Sequence, residues 1–253
     1  MFKAFTKDTK LLKDSIDIIS QLIDDGLFNF KGNGIELVAA DRTMVSFLDF
    51  KLKSSAFEKY ECDKDVSVGI NMLNFLTVLK RANPDDKLSL NLDETENKLE
   101  VVLEGSSIRR FAIPLLQISK GDVPDIDQLL KKFTADAEVN SGILEQGIND
   151  ADIIADSVII ELSHDKLRMF AEGNSSKSEL KLFKGTDTLT NLNAKEIVSA
   201  RYSLEYLKKM IKGSRISDKV KMMLGKDFPL RLLFENDNAS LSMILAPRVA
   251  ESE

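Results

Sequence analysis

Two stretches of this chain read as copies of one another at a single spacing of 132 residues. Ile70–Leu92 is INMLNFLTVLKRANPDDKLSLNL, and Tyr202–Leu224 is YSLEYLKKMIKGSRISDKVKMML. Met72, Phe75, Val78 and Leu79 fall on Leu204, Leu207, Met210 and Ile211. Asp86-Lys87 falls on Asp218-Lys219, and Leu88, Leu90 and Leu92 fall on Val220, Met222 and Leu224, without a gap. The same spacing lays Leu11, Leu12, Ile16 and Leu22 on Ile143, Leu144, Ile148 and Ile154, and Phe28 and Ile35 on Ile160 and Leu167. Two α+β segments that merely share a period can give one such match; several at one spacing point to a duplicated domain. Between the copies lies Ile118–Lys132, where Gly121, Pro124, Asp122, Asp125 and Asp127 support neither a helical period nor alternation. The expected organisation is one domain over 1–117, a connector over 118–132 and a second domain over 133–253.

Periodicity places the elements. Leu12, Ile16, Ile19, Leu22 and Ile23 form one apolar stripe, which predicts a helix over Lys10–Ile23 started by Asp8 or Thr9. A second helix is expected over Asn71–Arg81, ended by Asn83-Pro84-Asp85-Asp86, a third over Gly142–Ala155 and a fourth over Leu204–Lys212. Hairpins are expected at Leu27–Ala39, Lys87–Leu103 and Val158–Ala171, with further strands at Phe2–Phe5, Val45–Leu52, Tyr60–Ile70, Arg109–Leu116, Phe133–Val139 and Glu179–Phe183. Val220–Leu224, Leu230–Glu235 and Leu241–Leu245 complete the strands, and the tail Ala246-Pro247-Arg248-Val249 is expected to pair with nothing. Pro114 restricts its strand to a sheet edge. Each quarter of the chain reads βαβββ, an α+β plan with helices on one side of the sheets.

Composition excludes several classes. No apolar run reaches the ~20 residues of a membrane span, and MFKAFTKDTK has no signal-type apolar region. A single cysteine, Cys62, makes no internal disulfide, so a reducing, cytoplasmic compartment is expected. His164 is the only histidine and falls in a hairpin turn, which leaves no histidine-rich metal set. Cys62 is read as a structural thiol beside acidic residues that raise its pKa. Walker, dinucleotide-binding and nucleophile-elbow motifs are all missing, and the connector's acidic residues lack the glycine and glutamate of an EF-hand. Neither enzyme chemistry nor a cofactor or metal is expected.

The basic residues carry more. In a chain of net charge −6, Lys10 and Lys13 sit off the first apolar stripe, Lys80 and Arg81 end the second helix, and Lys208, Lys209, Lys212 and Arg215 crowd the fourth. Such faces suit a phosphate backbone, contacted without base specificity. Helix-dipole compensation and solubility would also account for them. The third helix has no lysine and carries Glu145, Asp150 and Asp152. No aromatic residues interleave with the lysines, so stacking on single strands is not indicated.

Met1-Phe2-Lys3-Ala4, Asp41, Val68-Gly69-Ile70-Asn71-Met72 and above all Leu245-Ala246-Pro247-Arg248-Val249 resemble sliding clamps of the proliferating cell nuclear antigen type, over essentially the whole chain. The acidic connector and compact length resemble archaeal members. The resemblance implies a ring of three subunits, with helices lining the hole and sheets forming the wall, that encloses duplex DNA. It also implies that the ring tethers DNA polymerase, clamp loader, flap endonuclease and DNA ligase through PIP-box peptides, and does no chemistry. By that resemblance Lys13, Lys80 and Lys212 face DNA, with Lys10, Arg81, Lys208 and Lys209 beside them; Gln146 and Asn149 stand where relatives can carry basic residues. The partner-peptide pocket would use Met44, Val45, Phe47, Val123, Ile126, Pro229, Ala246, Pro247, Arg248 and Val249. Plain core packing would also explain Met44 and Val45. The subunit seam would pair Arg109–Gln117, with Arg109, Arg110, Phe111 and Ile113, against Ser175–Phe183, with Leu180 and Leu182. A homotrimer is the first expectation and a heterotrimer the second. A scaffold of the same fold without a replication role, such as a checkpoint-type clamp subunit, is the alternative function.

Overall fold

Among the described residues, alternation of apolar residues organises the chain into eighteen strands and a few short helices. The structure, a computed structural model, describes residues 1–119 and 126–248, without the Asp127 side chain. The chain divides into two compact units. The first comprises Met1–Arg42, Leu48–Val123 and Asn236–Leu241; the second comprises Thr43–Phe47, Pro124–Glu235 and Ser242–Glu253.

In order, the first half runs β1 (Phe2–Thr6), α1 (Lys10–Ile19), β2 (Asp25–Lys31), β3 (Gly34–Ala40), β4 (Ser46–Lys53), β5 (Lys59–Cys62), β6 (Val66–Asn71), α2 (Met72–Leu79), β7 (Lys87–Asp93), β8 (Lys98–Glu104) and β9 (Ile108–Pro114). The second half runs α3 (Ile126–Leu130), β10 (Ala135–Asn140), α4 (Ser141–Asp152), β11 (Ser157–Leu162), β12 (Lys166–Glu172), β13 (Lys177–Phe183), β14 (Leu189–Ala194), β15 (Val198–Ser203), α5 (Leu204–Met210), β16 (Lys219–Leu224), β17 (Leu230–Glu235) and β18 (Ala239–Leu245). A 3-10 turn, Ile211–Arg215, continues α5.

The duplication holds element by element. In the first half, β5-β1-β7-β8-β9 form one run of neighbours and β4-β3-β2-β6 another; in the second half the runs are β14-β10-β16-β17-β18 and β13-β12-β11-β15. Each half is therefore two βαβββ units with one strand between them. The inward residues alternate as the sequence requires: Leu88, Leu90 and Leu92 on β7, Leu99, Val101 and Leu103 on β8, and Val220, Met222 and Leu224 on β16 are buried.

The helices cover these sheets with one face each. Leu12, Ile16 and Ile19 of α1 are buried as expected, but so are Asp14, Ser15 and Ile18. α1 also stops at Ile19, and Leu22 and Ile23 reach the core from the following turn. Asp8 rather than Thr9 satisfies the start of α1, accepting the Lys10 N–H at 2.9 Å. Its counterpart one repeat on, Asn140, accepts the Ile143 N–H at 3.1 Å, and Asn71 does the same for Asn74 at 3.0 Å.

Four expectations need correction. The connector, expected to be extended, holds a short helix, α3, over Ile126–Leu130. Tyr60–Ile70 is two strands, β5 and β6, not one. Two strands, β14 and β15, occupy the stretch between Phe183 and Leu204 where none is expected. The tail does pair: Ala246 N–H donates to Val45 O at 2.9 Å and Arg248 N–H to Arg201 O at 2.7 Å.

Candidate functional site

Among the described residues, no group of three or more His, Cys, Asp or Glu lies close enough to hold a metal ion. His164 is exposed beside Asp165. Cys62 is half-buried, its Sγ 3.1 Å from Lys64 O; burial pushes its thiol up first, and Asp65 adds to that.

The basic residues lie on two helix pairs, one in each unit. In the first unit α1 packs against α2. Lys10 is exposed at the start of α1, Lys13 is half-buried one turn on, and Arg81 is exposed just beyond α2. Lys80, the residue that caps α2, places Nζ 2.9 Å from Oδ1 of Asp17 on α1. In the second unit α4 packs against α5. Lys208 Nζ lies 2.6 Å from Asp152 Oδ2, and Lys209 Nζ lies 2.8 Å from Glu205 and 5.2 Å from the centre of the Tyr206 ring. Lys212 is exposed in the 3-10 turn after α5. Gln146 and Asn149 are exposed on α4. So Lys80, Lys208 and Lys209 are each held by a carboxylate, a constraint that composition does not reveal.

Of the residues expected at a partner pocket, Val45 and Ala246 meet in the second unit, where Thr43–Phe47 runs beside the tail. Met44 has φ 58° and is 49% exposed. A non-glycine residue in the left-handed region is uncommon and stores strain of roughly 1 kcal/mol or more. Val45 and Phe47 are half-buried, as are Ala246 and Pro247, and Val45 O takes the Ala246 N–H. Pro229 is half-buried beside Phe228, whose ring meets Phe133 edge-on at 5.3 Å and whose carbonyl accepts the Tyr202 hydroxyl at 2.6 Å. Burial holds that phenol well above its ordinary pKa, with Asp227 adding to it. Ile126 is half-buried at the start of α3; Val123 and Val249 lie outside the described residues.

Sequence reasoning named Arg248 but missed Asp156, Thr43 and Tyr206, which complete the contacts that fix this arrangement. Arg248 Nη1 lies 2.7 Å from Asp156 Oδ2, and the guanidinium holds that carboxyl below the usual range. Thr43 Oγ1 lies 3.1 Å from Tyr206 Oη. No spacing rule links residues so far apart in the chain.

The two expected seam strands lie at sheet edges: β9 ends one run and β13 another. Phe111 and Ile113 face inward on β9, as Leu180 and Leu182 do on β13. Leu180 also lies over Gly147 of α4, so it serves the unit's own core. Arg109 turns inward, donating through Nη1 to Arg81 O at 2.8 Å and pairing through Nη2 with buried Asp86. Arg110 lies 3.8 Å from Glu100. Two apolar residues outside the named set stand exposed at the strand ends, Ile108 at 60% and Phe183 at 54%.

Comparison with known proteins agrees over the whole length. Residues 1–123 match the family model described as proliferating cell nuclear antigen, N-terminal domain, and residues 130–249 match that of the C-terminal domain. A DNA polymerase sliding clamp of Thermococcus sibiricus is 34% identical, covering 99% of both chains, and one of Methanobrevibacter smithii is 33% identical, covering 100% of both. A crystal structure of PCNA from Thermococcus kodakaraensis superimposes with a TM-score of 0.88 at 27% identity, over 98% of this chain and 100% of that one.

Proposed function

The chain belongs to the proliferating cell nuclear antigen family of DNA sliding clamps, and from that premise we propose that three copies close into a ring around duplex DNA. The observation that carries the reading is a pair of unlike open edges, β9 and β13, on a duplicated fold. Unlike edges join copies head to tail, and a head-to-tail contact either closes into a ring or runs on as a filament. Three copies of a twofold repeat supply six similar domains, enough for a closed pseudo-sixfold ring. An open edge is an aggregation hazard until it is used. The seam would pair Arg109–Gln117 of one copy with Ser175–Phe183 of the next, with Ile108 and Phe183 closing its ends.

In this reading the helix pairs face DNA through Lys10, Lys13, Lys80, Arg81, Lys208, Lys209 and Lys212. Contact is to phosphates and is blind to sequence. The ring holds DNA polymerase, and likewise clamp loader, flap endonuclease and DNA ligase, through peptides that enter between Met44, Val45, Phe47, Val123, Ile126, Pro229 and the Ala246–Val249 tail. Apolar side chains on a short strap and tail suit an inserted hydrophobic plug. The protein itself does no chemistry; it converts weak contacts into retention by enclosure, in the cytoplasm.

Size-exclusion chromatography with light scattering, at several concentrations, tests the closure. A mass near three times 28.3 kDa is expected. A mass near 28.3 kDa throughout would overturn the homotrimer and leave a subunit that needs different partner chains.

A further inference from the structure

Each helix pair ties a basic residue to a carboxylate on the helix beside it: Asp17 of α1 to Lys80 after α2, and Asp152 of α4 to Lys208 of α5, at 2.9 and 2.6 Å. These are not one pair copied by the duplication. One repeat further on, Asp17 and Lys80 correspond to Asn149 and Lys212; one repeat back, Asp152 and Lys208 correspond to Ser20 and Leu76. The two units thus reach the same arrangement with different residues at different places on the helices. Both carboxylates are partly covered, with side-chain exposures of 21% and 35%, so solvent ions screen them less than they would a fully exposed pair.

We infer that Asp17 and Asp152 are positioning residues that act through Lys80 and Lys208 to weaken the clamp's grip on DNA phosphates. The inference rests on the reading of those lysines as DNA-facing. A lysine that turns to a phosphate leaves its carboxylate or shares its three N–H donors with it, and either way the carboxylate then lies close to the duplex and repels it. Each contact therefore gains less than a free ammonium would. It also releases fewer ions, because the abandoned carboxylate recruits a cation as the phosphate gives one up. A ring that holds by enclosure has no need of tight contacts. Weak, exchangeable ones let it move along the duplex.

The test is a titration of a short fluorescein-labelled linear duplex with the full chain, followed by anisotropy over a series of salt concentrations. Asp17→Asn and Asp152→Asn are each compared with the parent, and thermal melts report folding. Both variants are expected to bind roughly two- to fivefold tighter at low salt, the range of an exposed ion pair. Both should also steepen the plot of log affinity against log salt, by up to about 0.9 for each phosphate newly neutralised. A carboxylate that only supports the fold would lower the melting temperature and leave that slope unchanged. Unchanged affinity and slope in both variants, with Lys80→Gln and Lys208→Gln weakening binding, would overturn the inference and keep the DNA-facing reading. If the two glutamine variants bind as the parent does, the DNA-facing reading itself falls, and this inference with it. The two aspartates lie in separate units, so a folding defect in one variant leaves the other as the test.

Discussion

Asp156 and Arg248 illustrate how a single contact can govern a site. The tail's last described residue is pinned by its backbone to Arg201 and by its guanidinium to Asp156. Arg248 lowers the Asp156 carboxyl below its ordinary value of about 4. A lowered carboxylate stabilises the docked tail fully above that ordinary value, and the contribution disappears as pH falls through it and on through the depressed one. Arg248 side-chain NMR signals should therefore move toward free-arginine positions in that acidic window, and Asp156→Asn should give the displaced positions already at neutral pH. Gly213 gives a second prediction: a Cβ there would run into the ring of Phe234, which is fully buried. Gly213→Ala should cost roughly 1–3 kcal/mol in urea unfolding, the range for an overpacked core. At this scale the sequence carried identity but not role. Asp86 and Asp218 align across the repeat, yet Asp86 is buried under Arg109 while Asp218 is exposed and offers its carbonyl to Ser141. The pairs Asp17–Lys80 and Asp152–Lys208 were equally silent, because side-chain meetings between helices have no sequence period.

Elements were far more legible, because burial on one face imposes a period that can be counted. The failures have local causes. β14 shows buried Leu189 and Leu192 three apart, because its pairing with β10 shifts register at Glu138/Val139 and breaks the alternation. β15 does alternate, with Val198, Ala200 and Tyr202 buried, but alanine and serine dilute the apolar signal. The edge position of β9 was readable from Pro114 alone. The seam prediction belongs here. Leu180→Asp should weaken subunit association, but Leu180 also covers Gly147, so the same change strains its own unit. Phe183→Asp is the cleaner variant, since that side chain is mostly exposed at the end of β13. It should bring the mass by light scattering at low micromolar concentration toward 28.3 kDa, with an unchanged circular dichroism spectrum. An unchanged oligomeric mass would remove β13 from the seam.

For the whole molecule the governing quantity is the net charge of −6. Such a chain gains little from long-range attraction to a polyanion, and its lysines act only within about a Debye length, ~8 Å at physiological salt. Lys80, Lys208 and Lys209, among the cations proposed to face DNA, are already paired with carboxylates. On the proposed reading affinity alone is therefore a poor source of retention, and enclosure supplies it. Enclosure and affinity respond differently to salt and to ends. Clamp loaded on a nicked circle should stay bound through a salt wash that strips protein from open duplex, and should leave once the circle is cut, because only an end lets a closed ring escape. Reversing Lys80, Lys208 and Lys212 to Glu should abolish stimulation of a polymerase, since a lining that repels phosphate hinders threading. The same triple variant should keep its oligomeric mass, because none of the three lies on β9 or β13. Undiminished stimulation would show that those lysines do not line the hole. Loss of salt-resistant binding on the uncut circle would show that contacts, not closure, hold the protein there.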